Sequence, residues 1–300
     1  MNELISVVIT TYKRPYGTLL RAVQSVLSQT YTTFELIIVD DSPADYCDRE
    51  SIRQSILELN DQRIVYIQHE VNKGACAARN TGIQHASGRY IAFLDDDDEW
   101  LPKKLELQYK RMTETKADLV YAGSRTIYES HGQVRKVAIR NATTTGYVFD
   151  LLMIENFIGS TSFVLVRKEA LLRSGNFNER IKSAQDYELW LRIAKNGLVE
   201  AVNEPLVNYY AHEDERISTN LDSRIHGKEM ILELYDDYLA EHPKVKAIKL
   251  HKLLRYYQVK YGRRYALGKW CEAFRTYPWN LIGLKSLIRI VLPNQKKLDP

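Results

Sequence analysis

Five consecutive acidic residues, Asp95-Asp96-Asp97-Asp98-Glu99, follow directly on the apolar run Tyr90-Ile91-Ala92-Phe93-Leu94. Adjacent carboxylates repel one another, and such a cluster at the end of a buried strand implies a cation that neutralises it. Ligands that are all oxygen point to a hard ion, Mn2+ or Mg2+. Such an ion keeps positions open for substrate phosphates and stabilises a departing diphosphate. The competing use of the same residues is a solvated acidic turn that caps the next helix.

A second acidic pair, Asp40-Asp41, closes the run Phe34 to Val39. A carboxylate there can accept a hydrogen bond from a base N–H or a ribose hydroxyl, or simply form a turn. Arg14, Lys73 and Arg79 can bring positive charge to phosphates, and Gly74 with Ala75, Ala77 and Ala78 lets a ligand approach a helix start closely. Far along the chain, Asp186 opens the helical run Tyr187-Glu188-Leu189-Trp190-Leu191-Arg192. It can act as a general base on an acceptor hydroxyl, or as a helix cap.

These residues need a scaffold that gathers them. Ile5 to Thr10, Phe34 to Val39, Arg63 to Ile67 and Tyr90 to Leu94 read as buried strands. Amphipathic segments such as Thr18 to Leu27 lie between them. The alternation predicts an α/β domain with a central, mostly parallel sheet, and ligands bind such sheets at the carboxyl ends of the strands. Neither a G-x-G-x-x-G nor a P-loop follows the first strand, which disfavours a dehydrogenase-type dinucleotide fold and P-loop enzymes. Further on, the pattern predicts a helix from Leu101 to about Thr115 with Pro102 in its first turn, and a strand over 117–122. It also predicts a hairpin across His131-Gly132, a helix over 183–195, and consecutive helices from Arg224 with breaks near Pro243, Gly262 and Pro278.

Composition sets the outer limits. The 300 residues are 45% hydrophobic and 27% charged, enough for a full core and a smaller second unit. Cys47, Cys76 and Cys271 are too scattered for a disulfide framework or a thiolate metal site, which suits a reducing compartment. No secretory leader is evident, and no uncharged apolar stretch approaches the roughly 20 residues of a spanning helix. The net charge of +4 conceals an asymmetry: from Lys244 onward there are 14 Lys or Arg against two acids, leaving 28 basic and 36 acidic residues before it. A basic helical tail on an acidic body implies two units with different roles.

Taken in order, the motifs resemble the inverting glycosyltransferases of family 2, which share the GT-A fold. The resemblance rests on Ser6-Val7-Val8-Ile9-Thr10-Thr11-Tyr12, Ser25 to Tyr31, Phe34 to Ser42, Asn72-Lys73-Gly74, Ala77 to Gly82 and Gly88 to Trp100. It implies that Asp97 is the principal metal ligand, with Asp95 close by and Asp96 near the ribose. Thr10, Thr11, Tyr12 and Asp41 would hold the nucleobase, usually uracil, and Arg79 lies where the family often contacts the nucleotide. Gln185-Asp186-Tyr187-Glu188-Leu189-Trp190 resembles the family's Glu-Asp motif, whose Asp is the base, with Gln185 in place of Glu. Tyr210-Ala211-His212 resembles a segment that approaches the donor phosphates, where His212 would touch phosphate or metal.

The expectation is therefore a GT-A (Rossmann-like) domain over 1–220, with a nucleotide-sugar half over 1–100 and an acceptor half over 101–220. A basic helical extension spans 225–300. The activity expected is transfer of a hexosyl unit from a nucleotide-sugar donor, a UDP-sugar above others, to a saccharide or lipid-linked acceptor in polysaccharide biosynthesis. The basic tail suits a cytoplasmic protein peripheral to the anionic inner membrane face, or packing on its own domain or in a homo-oligomer. A nucleotidyltransferase would need glycines that Thr11-Tyr12-Lys13-Arg14-Pro15 lacks. A nucleic-acid- or membrane-surface-binding protein leaves the aspartates unused, and a non-catalytic sugar-binding relative is an alternative that a donor-hydrolysis assay separates from an enzyme.

Overall fold

Alternation of apolar and amphipathic segments builds the first hundred residues as read, and the computed structural model describes residues 2–130, 133–211, 220–278 and 281–291. In order come β1 (Ile5–Thr11), α1 (Tyr16–Leu27), β2 (Phe34–Asp40), α2 (Arg49–Leu57), β3 (Ile64–Gln68), α3 (Ala75–His85) and β4 (Tyr90–Asp95). The four strands pair in parallel in the order β3-β2-β1-β4, so each connection carries a helix across the sheet. Val7, Val8 and Ile9 are all buried, because both faces are covered. On one face Val7, Ile9, Leu36 and Ile38 share a core with Leu19, Val23 and Val26 of α1. On the other, Gly82 of α3 lies so close to Val8 that a Cβ would overlap that side chain.

The chain continues with β5 (Glu99–Trp100), α4 (Lys104–Thr115), β6 (Leu119–Ser130), β7 (Gln133–Arg140), α5 (Phe149–Ile154), a 3-10 turn Thr161–Phe163 and β8 (Val164–Arg167). Then come α6 (Lys168–Ser174), α7 (Gln185–Asn196) and β9 (Val199–Ala211), completing a nine-stranded sheet. Parallel order ends at β8, which is antiparallel to β4 and β6; β9 runs parallel to β6 and antiparallel to β5. The hairpin forms between β6 and β7, with Ser130 paired to Gln133, and its tip at 131–132 lies outside the described residues. β7 is exposed along most of its length, Val134, Val137 and Ile139 included. Several boundaries differ from the sequence reading, among them the start of α7 at Gln185 rather than Ser183. The strand expected over 117–122 extends to Ser130, and α4 begins at Lys104 rather than Leu101. Pro102 stays outside the helix because its carbonyl accepts from the Thr30 amide at 2.9 Å.

The chain divides into two compact units: Met1–Leu152 with Asn156–Glu179 and Leu189–Glu213, and Met153–Glu155 with Arg180–Glu188 and Asp214–Pro300. The second contains α8 (Leu221–Leu234), α9 (Asp236–Glu241), α10 (Pro243–Tyr261), α11 (Arg263–Thr276) and α12 (Leu281–Val291). Three of its breaks follow the sequence signals, and a fourth, at Tyr235 between α8 and α9, has no such signal. Pro243 fills the first turn of α10, and Gly262 separates α10 from α11 at φ +85°, a left-handed value that glycine adopts without a Cβ clash. Ile225, Leu253, Leu254, Tyr257, Ala266 and Ile290 form its core. No helix among the described residues is long and apolar enough to cross a membrane.

Candidate active site

The carboxyl edge of β1, β2 and β4 collects the residues nominated from sequence. Thr10 pairs with Val39 on one side and Asp95 on the other. Asp95 accepts from Arg79 Nη2 at 2.8 Å, Thr161 Oγ1 at 2.9 Å and Ser160 Oγ at 3.0 Å. Burial alone would raise its pKa, but the Arg79 guanidinium and the two hydroxyls outweigh it and hold the carboxyl below the usual range. Asp96 is buried, takes the Thr11 hydroxyl at 2.7 Å and pairs with Arg14 at 2.8 Å. Its burial wins over Arg14 and pushes its pKa up. Arg14 also reaches Asp97 at 3.5 Å, and among the described residues the buried Arg14 Nε has no hydrogen-bond partner.

The acidic run therefore does not behave as five equal charges. Asp98 is fully buried, and burial, then repulsion from Asp97 and Asp95, drives its pKa well above the carboxylate range. It takes a hydrogen bond from Ser162 Oγ at 2.6 Å and one from the Tyr210 amide at 3.3 Å. Glu99 accepts from Asn208 Nδ2 at 2.8 Å and Tyr210 OH at 3.1 Å, which ties β5 to β9. Arg21 donates to the Asp97 carbonyl at 2.8 Å and lies 3.9 Å from the Tyr210 ring centroid. Asp98 and Glu99 are anchors of the fold.

Asp41 has a more specific local role than the sequence indicated. Its oxygens accept the Lys73 amide at 2.8 Å, the Gly74 amide at 2.7 Å and His69 Nδ1 at 2.7 Å, while His69 Nε2 meets Thr81 Oγ1 at 2.9 Å. It clamps the turn that opens α3, where Gly74 sits at φ +89°. The Lys73 side chain is exposed; its backbone makes the contact. Tyr12 is also exposed, on a loop that Lys13 turns at φ +47° and fastens through its amide to Ser42 Oγ at 2.8 Å.

Asp186 belongs to the second unit, in the first turn of α7, where its Oδ1 accepts the Tyr187 amide at 2.7 Å. Ala184 enters that helix at φ +62°, a strained value for a residue with a Cβ. Gln185, standing where the resembling family has Glu, donates to the Ile181 carbonyl at 3.0 Å. Gly227 of α8 lies against the Ser183 carbonyl with no room for a Cβ, which fixes this segment. His212 lies outside the described residues.

Sequence reasoning missed His69, Arg21 and the polar triplet Ser160-Thr161-Ser162, and it named Tyr210 only within the Tyr210-Ala211-His212 segment, not as a partner of Asp98 and Glu99. The triplet was findable in part: it directly precedes the apolar run Phe163 to Val166, and because β8 is antiparallel to β4, its start falls at the edge where β4 ends. Among the described residues, no group of three or more His, Cys, Asp or Glu is arranged to hold a metal alone. Asp95 and Asp97 supply two hard carboxylates, a donor set that fits Mg2+ or Mn2+ when substrate phosphates complete the shell.

Residues 6–175, more than half of the chain, match the family model described as Glycosyl transferase family 2. The chain belongs to glycosyltransferase family 2. It is 33% identical over 271 residues to WcaA of Escherichia coli K12, a glycosyl transferase named for colanic acid biosynthesis, covering 87% of this chain and 90% of that one. It is 34% identical over 220 residues to WfgD of Escherichia coli, named a UDP-Glc:alpha-D-GlcNAc-diphosphoundecaprenol beta-1,3-glucosyltransferase, covering 73% and 81% of the two chains. The S. aureus TarS 1-349 crystal structure in complex with UDP-GlcNAc superposes with a TM-score of 0.62 over 91% of each chain at 17% identity. The α/β sheet with its helices is thus the GT-A arrangement that the motifs implied.

Proposed function

We propose that this family 2 chain transfers a sugar from a UDP-sugar to a hydroxyl of a lipid-linked or growing saccharide, with inversion at the anomeric carbon. The observation that carries the reading is the convergence of Thr11, Arg14, Arg79 and Asp95 to Asp97 at one sheet edge. WfgD, by its name, uses UDP-Glc, and TarS was crystallised with UDP-GlcNAc and with UDP. Thr10, Tyr12 and the Asp41 clamp border the base, and Asp96 lies toward the ribose. Arg14 and Arg79, which now neutralise Asp96 and Asp95, face incoming phosphates. Asp95 and Asp97 would hold a divalent ion, which when bound would supply charge stabilisation to the leaving diphosphate. Asp186 takes the proton of the acceptor hydroxyl as its oxygen bonds to the anomeric carbon and the bond to the diphosphate breaks. One displacement inverts the configuration.

The exposed part of the tail suits an anionic membrane surface, where lipid-linked acceptors reside. Phe274, Leu284, Ile288 and Val291 are exposed, and exposed Arg263, Arg264, Arg275, Lys285 and Arg289 share their helices. The reading is tested by calorimetric titration with UDP and by a screen of UDP-sugars for metal-dependent hydrolysis. Binding that EDTA weakens strongly, with UDP released from one sugar donor, is expected. Equal affinity with and without metal removes the ion, and hydrolysis of no UDP-sugar removes the donor class.

A further inference from the structure

The basic residues of the second unit are of two kinds. Some have acidic partners, such as Lys246 with Asp236 at 2.8 Å and Lys260 with Asp222 at 2.6 Å. A further set lies together on α8 and α10. Arg224 and Lys228, one turn apart on α8, both lie over the Tyr256 ring of α10, at 4.9 and 5.3 Å from its centroid. Lys249, on α10, lies 5.0 Å from the Tyr187 ring centroid and donates to the Tyr187 hydroxyl at 2.8 Å. Lys252, three residues further on, donates to the Ile154 carbonyl at 2.9 Å. Among the described residues no carboxylate is within ion-pair distance of Lys228, Lys249 or Lys252. Lys228 and Lys249 are half-buried, whereas Lys252 is exposed, so the group runs from solvent inward.

Such an arrangement is costly. Burial, then repulsion from Lys252 and Lys228, lowers the Lys249 pKa to about 7; burial, then Arg224 and Lys252, lowers that of Lys228 to about 8. Among the described residues no acidic group offsets this repulsion at Lys249 or Lys228. A multivalent anion would offset the repulsion of Lys228, Lys249 and Lys252 at once. We infer that Lys228, Lys249 and Lys252 form a binding site for a diphosphate group, the one that joins an acceptor saccharide to its lipid. The assignment to the acceptor rests on the proposed transfer reaction, in which Asp186, the residue before Tyr187, acts on the acceptor hydroxyl. The donor's own diphosphate has its place at the Arg14 and Arg79 edge of the first unit. A flat layer of lipid headgroups suits this group less well, since two of its cations are withdrawn from the surface.

The test uses the full chain in EDTA, titrated with inorganic pyrophosphate by calorimetry. Wild type should bind, and the Lys228→Met/Lys249→Met variant should bind at least tenfold more weakly. Lys244→Met/Arg264→Met removes the same charge from exposed tail positions and should change affinity by less than twofold. Asp97→Asn, at the donor site, should leave pyrophosphate binding intact. A readout free of variants is proton uptake: at pH 8, binding should draw protons onto Lys249 and Lys228, seen as a heat that changes with the buffer's ionisation enthalpy. No binding by wild type, equal loss in both double variants, or no proton uptake overturns the site. Lysine-dependent sedimentation with phosphatidylglycerol vesicles but no pyrophosphate binding overturns the diphosphate in favour of a lipid headgroup. Pyrophosphate binding at these lysines in a chain that hydrolyses no UDP-sugar keeps the anion site and overturns its assignment to the acceptor.

Discussion

Neighbouring carboxylates in this chain carry different duties because each meets a different set of donors. Asp95 is held ionised by Arg79 with Ser160 and Thr161, Asp96 is balanced between burial and Arg14, and Asp98 is buried against Ser162 and the Tyr210 amide. The two nominated functional aspartates should separate in kinetics. Asp186→Asn should lower transfer by about 10² to 10⁴ with UDP affinity within a few-fold, as expected for a general base. Asp97→Asn should weaken metal-dependent UDP binding itself. Turnover at the wild-type level in Asp186→Asn places the base elsewhere. Asp41 gives a third contrast: Asp41→Ala leaves the Lys73 amide and His69 Nδ1 without this acceptor and the Gly74 amide with Asn72 Oδ1 alone, and should cost about 1–3 kcal/mol in urea unfolding. Unchanged stability would mean that the clamp is dispensable and that any effect on UDP is direct.

The elements that position these residues were readable where periodicity and chemistry agree. β1, β2 and β4 are continuous apolar runs, and the rule that parallel sheets bind ligands at their carboxyl edge put Thr10, Asp41 and Asp95 in the right neighbourhood. Illegible features depend on direction or on distant partners. Nothing local in Val164 to Arg167 says that β8 runs antiparallel to β4, yet that reversal delivers Ser160 and Thr161 to Asp95. The α4 start shifted because Pro102 answers Thr30, 72 residues away. His69 went unnoticed although it follows directly on β3, at the same edge. Packing at this scale gives its own prediction. Gly82→Ala drives a methyl into Val8, within the α3 and β1 contact, and should destabilise the protein by roughly 1–3 kcal/mol. A thermal melt matching wild type would show that α3 can shift at no cost.

For the whole molecule, the charge asymmetry has a thermodynamic signature. Lys249 and Lys228 have folded pKa values of about 7 and about 8, below the ordinary lysine value, so the unfolded chain binds more protons than the folded one from about pH 7 upward. Stability from these two groups therefore rises with pH across that window and is flat below it, where both are charged in either state. Wild type should gain melting temperature relative to Lys228→Met/Lys249→Met between pH 7 and 9; parallel curves would show that neither lysine is perturbed. A different global consequence comes from the β6 and β7 hairpin. Among the described residues β7 pairs only with β6, so its other side presents unpaired backbone groups beside exposed Val134, Val137 and Ile139. That is a template for edge-to-edge aggregation, and Arg135 and Lys136, exposed in the middle of the strand, are the charges that keep a second edge away. Arg135→Thr/Lys136→Thr should leave UDP binding unchanged while light scattering grows with concentration, so the solubility of the chain depends on two residues of a strand that holds none of the residues assigned to the reaction.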